Sequence, residues 1–141
     1  MTASSLTKKF LAVIILLTSE VNSIRMVGRV EILFQDQKLA KECNNEALLI
    51  RKHGPMRAKL LGRRLDDLRA ADNLEILRSL PQVRCHELKG DRAGTLAVNL
   101  DHPYRLIFEP ANDPPPRKSD GGLNWASITV IRVLTVEDYH G

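Results

Sequence analysis

From residue 30 to residue 34 the chain reads VEILF, a short run of β-favouring residues. Leu39, Cys43, Ala47 and Ile50 then recur every three or four positions, which predicts a helix over 37–52, broken by Gly54 and Pro55. Pro55 opens a second helix, because its missing N–H would be unpaired in a first turn anyway. Met56, Leu60, Leu61, Leu65 and Leu68 fall on one side of that helix, with Arg57, Lys59, Arg63, Arg64 and Arg69 on the other. Asp72 or Asn73 caps a further short turn through Ile76 and Leu77, which Pro81 closes. The period then changes from 3.6 to 2. Residues 95–100 (TLAVNL) alternate, Asp101, His102 and Pro103 make a turn, and 104–108 (YRLIF) return, which predicts a hairpin. Residues 110–124 are rich in Pro, Gly and Asp and carry no period, as in a loop. Residues 126–136 (ASITVIRVLTV) are apolar on both faces, as expected of a central strand buried on both sides. The order β-α-α-β-β-β predicts an α+β domain with two or three helices on one face of a small, antiparallel-rich sheet.

Length and charge narrow the picture. The 141 residues make one domain, and with only six aromatics its core must be mostly aliphatic. Lys and Arg outnumber Asp and Glu by 21 to 17, a mildly basic balance compatible with a polyanionic partner. The two cysteines, Cys43 and Cys85, are too few for a disulfide scaffold and fit a reducing compartment. At the N-terminus Lys8 and Lys9 precede an apolar run over 10–17 and then polar residues, the order of a secretory signal. Eight apolar residues cannot span ~30 Å of hydrocarbon, so this is not a membrane anchor. The rival reading is an extension upstream of a domain that begins at Met26. Residues 1–25 hold three basic groups and one acidic group, so the chain from Met26 onward has 18 against 16. Any basic function must therefore come from local clustering.

Two polar clusters stand out: Cys85-His86-Glu87-Leu88-Lys89-Gly90-Asp91-Arg92, expected as a loop before the hairpin, and the terminal Glu137-Asp138-Tyr139-His140-Gly141. Arg105 lies between them, on a strand able to run alongside. The three strings HELKGDRAG, HPYRLIF and DYHG, in that order, resemble the HigB-like killer-protein toxins of the RelE/ParE superfamily, over residues 26–141. The strand, helix and hairpin order is similar as well. What the resemblance implies is the toxin of a type II toxin–antitoxin pair, a cytoplasmic endoribonuclease that cuts mRNA on the ribosome without metal or cofactor. Its partners would be the ribosome, its mRNA and a cognate antitoxin with a helix-turn-helix fold, through which the pair binds operator DNA; no membrane is involved. The catalytic positions so implied are His86, Lys89, Asp138, Tyr139 and His140, with Arg105 and, more loosely, Arg92 on the RNA phosphate.

The residue types suit that chemistry. When the RNA 2′-OH attacks the adjacent phosphorus, a base takes the 2′ proton and an acid protonates the departing 5′ oxygen. A cyclic phosphate and a free 5′-OH result. Histidines, with an ordinary pKa of ~6.5, serve as either acid or base near neutrality. Arg and Lys hold the phosphorane, and a tyrosine ring stacks on a base. Which histidine of His86 and His140 is the base stays open.

Plainer roles exist for each group. His86, Lys89 and Arg92 fit solvated loop positions, Arg105 a salt bridge, Tyr139 a cover for the core edge and His140 a frayed terminus. A Cys85–His86 nucleophile lacks a third, orienting group, and His86, His102 and His140 match no standard metal-ligand spacing. The basic face of 57–69 is either a solvated amphipathic face or a contact for ribosomal RNA. Loop 110–124, where the chain departs most from the compact family pattern, is an inert insertion or a modifier of docking. At the level of the whole protein the alternatives are a ParE-like inhibitor that binds DNA gyrase and a secreted or inert interaction module.

Overall fold

The computed structural model describes residues 29–138. The signal-like segment, Tyr139 and His140 lie outside the described residues. The chain runs β1 (Glu31–Phe34), α1 (Gln37–Cys43), α2 (Glu46–His53), α3 (Pro55–Ala70), α4 (Glu75–Arg78), β2 (His86–Glu87), β3 (Leu96–Asn99), β4 (Tyr104–Pro110) and β5 (Val130–Asp138). Short 3-10 turns occupy Gly90–Arg92 and Trp125–Ser127. The five strands form one sheet in the order β1-β5-β4-β3-β2. β1 is parallel to β5, and the other pairings are antiparallel. The protein is α+β.

Four helices, not two or three, precede the hairpin among the described residues. The helix expected over 37–52 is two, because Asn44 and Asn45 compete for the backbone where the apolar period runs straight through. Asn45 Oδ1 accepts from the Leu48 N–H at 3.2 Å and caps α2, and Asn44 closes α1, its N–H donating to Ala40 O. Asp36 caps α1 in the same way, accepting from the Leu39 N–H at 2.8 Å. The N-cap of α4 is Leu74, and neither Asp72 nor Asn73 caps the helix through its side chain. The segment expected as a loop at 85–92 contains β2, whose His86 and Glu87 pair with Ala97 and Leu96.

The helices cover one face of the sheet. Ala58, Leu61, Leu65 and Leu68 of α3 are buried against Leu96, Val98, Leu106, Phe108, Ile131 and Val133. Each fully buried leucine of this kind contributes roughly 1.5–3 kcal/mol. Met56, placed on this stripe by its sequence pattern, is 70% exposed. Two residues from Ala58 on a helix is a little over half a turn, which points it the other way. Among the described residues, the opposite face of the sheet carries only a small apolar cluster of Leu88, Ala97 and Ile107, with Leu134 packed on it. β5 is thus flanked by strands on both sides, but its second face is only partly covered, where burial on both faces was expected. Loop 110–124 is built in: Asn112 Oδ1 accepts from the Thr129 and Val130 N–H groups, and Leu123 and Trp125 are buried. No helix among the described residues is long and apolar enough to cross a membrane.

Two arginines of the basic face are part of the fold. Arg64 Nε–H donates to Asn99 O at 2.9 Å and Nη2–H to Gln82 O. Arg57 grips Asp101 with both arms of its guanidinium, at 2.8 and 3.0 Å, and lies 3.4 Å over the Tyr104 ring. The α3 N-terminus is thereby fastened to the β3–β4 turn. The Arg57 hydrogen bonds hold the Asp101 carboxyl below its ordinary value of 3.8. Burial, with Lys52 and Arg57 nearby, lowers His53 from its ordinary 6.5. Both shifts favour the folded state at higher pH, because the unfolded chain binds these protons more readily. Stability therefore begins to fall as the pH drops below 6.5 and falls again below 3.8, through the lowered Asp101 value. In urea titrations across pH, Asp101→Asn flattens the second decline and slightly deepens the first, because the Asp101 charge no longer favours a proton on His53. An unchanged acid limb in the variant would show that other carboxylates carry it.

Candidate functional site

Because side chains alternate along strands and face the same way across pairs, the register decides what stands on the uncovered face. Leu96 and Val98 point into the core, so Ala97 and Asn99 point out. His86 is opposite Ala97, Arg105 opposite Asn99, and Glu137 opposite Arg105. His86, Asn99, Arg105 and Glu137 therefore share the open face, about 10 Å apart from β2 to β4 at ordinary strand spacing.

A cleft of about 630 Å³ opens there at the β2 edge. Its charged walls come from four segments: Arg78 at the end of α4, Arg84 and His86 around β2, His102 in the β3–β4 turn and Arg105 on β4. Among the described residues, three arginines and two histidines line it, and no carboxylate does. Such a cleft focuses positive potential and draws anions. Arg84, at φ 50°, sits in the left-handed region that non-glycine residues rarely adopt. That turn brings the Arg84 carbonyl to 2.8 Å from His86 Nδ1. A carbonyl only accepts, so Nδ1 carries the proton, and in the neutral ring the lone pair resides on Nε2.

Of the residues expected to act, His86 and Arg105 line this cleft together. Arg92 reaches across to Glu137, its Nη1–H and Nη2–H donating at 2.7 and 3.1 Å, and so stands beside Arg105. Lys89 is exposed at the start of the 3-10 turn, beyond the buried Leu88, and forms no part of the cleft lining. Asp138 is opposite Tyr104 and thus on the helix-covered face of the sheet, where its charge acts on Arg57. Register does not bring it to His86. Arg78, Arg84, Asn99 and His102 are the cleft residues that sequence reasoning did not assign to the site. They come from separate segments, and each reads locally as an ordinary solvated side chain. The one local signal is that Arg78 and Arg84 flank Pro81, a position that turns the chain.

Cys85 also lines the cleft, and burial pushes its thiol up to about 12. A nucleophilic cysteine needs the opposite shift, so Cys85 is a packing residue here. At pH 8 iodoacetamide should label native Cys85 at least about a hundredfold more slowly than the urea-unfolded chain. Peptide mass spectrometry over time reads this directly, and equal rates would refute the assignment. Comparison of this chain with protein-family models, with curated proteins and with solved structures finds no match.

Proposed function

We propose that the protein is the toxin of a type II toxin–antitoxin pair, a cytoplasmic, ribosome-dependent endoribonuclease that cuts mRNA by 2′-OH attack. The observation that carries this reading is the cleft itself. A histidine of defined tautomer stands among three arginines and a second histidine. His86 Nε2 suits the base that takes the 2′ proton. Arg105 and the other cleft arginines suit the phosphate and its developing charge. The order of HELKGDRAG, HPYRLIF and DYHG in the sequence, and an α+β fold with helices on one face, support the same reading. In it Lys89 and Arg92 act from beside the cleft, Asp138, Tyr139 and His140 keep the catalytic roles that the resemblance implies, and a helix-turn-helix antitoxin holds the protein inactive.

The test is cleavage of a defined message on programmed ribosomes, with 5′ ends mapped by primer extension and the same RNA incubated without ribosomes. Ribosome-dependent cuts are expected, lowered about 10²–10⁴-fold in His86→Ala and His140→Ala, the range for a positioned acid or base. Arg105→Ala should cut poorly as well. Intact message from a folded protein would refute the nuclease and turn attention to gyrase binding.

A further inference from the structure

We propose that Arg78 is an anion-gripping residue of the cleft and that Trp125 is the positioning residue that aims it. The inference rests on the reading of the cleft as a site for nucleic-acid phosphates.

Arg78 closes α4 and lines the cleft with a half-exposed side chain. A long arginine on a surface has many rotamers, and each grip on a ligand must first overcome that freedom. Here the freedom is already reduced. The Arg78 guanidinium carbon lies 3.8 Å from the centroid of the Trp125 ring, on its face. Tryptophan is the best aromatic partner for such a cation. The indole is itself held: it is 3% exposed, and its Nε1–H donates to Glu87 Oε2 at 2.8 Å. Glu87 is the neighbour of His86 on β2. One edge of the indole is therefore bolted to the strand that carries His86, while its face carries Arg78. The carboxylate at that edge adds negative potential to the ring that the cation covers.

Glu75 is the other charge near Arg78, 3.5 Å away within the same helix and about half exposed. That pair is loose and screened by solvent. A guanidinium has five N–H donors, so stacking on one plane and a single long ion pair leave donors to turn into the cleft. Trp125 reaches this place only through loop 110–124, which ends in the 3-10 turn at Trp125–Ser127. The loop that looked like an insertion thereby supplies a wall for the arginine.

The test uses the full chain and a fluorescent single-stranded DNA oligonucleotide, which lacks the 2′-OH and is not consumed. Anisotropy titrations from 50 to 200 mM salt give both affinity and its salt slope. Arg78→Gln is expected to weaken binding about tenfold and to lower the slope by about one, the loss of one phosphate contact. Trp125→Leu should weaken it severalfold, and the double variant should be no weaker than Arg78→Gln alone, because both act through one guanidinium. Trp125→Phe, which keeps a stacking face, should recover most of the loss. Parent-like affinity and slope in Arg78→Gln, or additive losses in the double variant, would overturn the proposal while leaving the cleft reading intact. If the unaltered protein binds no oligonucleotide at 50 mM salt, the cleft reading falls and takes this inference with it. Binding without cleavage of ribosomal message would sink the nuclease alone.

Discussion

The structure depends on the burial of one α3 stripe against one face of the sheet. Ala58, Leu61, Leu65 and Leu68 meet Leu96, Val98, Leu106 and Phe108 there, and among the described residues nothing comparable covers the other side. In β3 and β4 that commitment alternates residue by residue. A slip of one position would drive Asn99 and Arg105 into the apolar layer and expose Val98 and Leu106. The energy that holds the helices down is thus the same energy that holds the cleft residues up. A cleft on the open face is the place where a one-sided sheet can carry polar chemistry without weakening its core.

Polar groups do the joining at the margins. Arg57 with Asp101 and Tyr104, and Arg64 with Asn99 and Gln82, fasten α3 to the strand ends. On the far side Trp125 joins α4 to β2 through Arg78 and Glu87. Fork-shaped arginine contacts suit this work, because one side chain satisfies two or three acceptors from different segments. They also set the relative positions of the four segments from which the cleft is made.

Much of this fold was legible along the chain. The alternation in TLAVNL and YRLIF marked β3 and β4, and Pro55 marked the start of α3 to the residue. The break at Asn44 and Asn45 was not, because Leu39, Cys43, Ala47 and Ile50 keep helical spacing straight across two capping residues. β2 was hidden for a different reason: a two-residue edge strand is too short to show a period. His86 and Arg105 were legible as candidate chemistry, but the arginines around them were not. Arg78 needs a tryptophan from the far side of a proline-rich loop, and Arg84 owes its role to a backbone angle that its side chain does not encode. Such groups are brought together by topology, which local pattern cannot report.

The pairing of β1 with β5 has a consequence for how the chain is made. Among the described residues, β1 pairs in the sheet with β5 alone, about a hundred residues further along the chain. Glu137, which Arg92 needs, lies on that same last strand. Contacts so distant in sequence cannot form early, and they make for slower folding than local ones do. While the chain is still being synthesised, its helices and hairpin can collapse, but the sheet stays open at its centre. The sheet closes only once β5 has been made, so the open face matures after the helices and the β3–β4 hairpin that precede that strand in the chain.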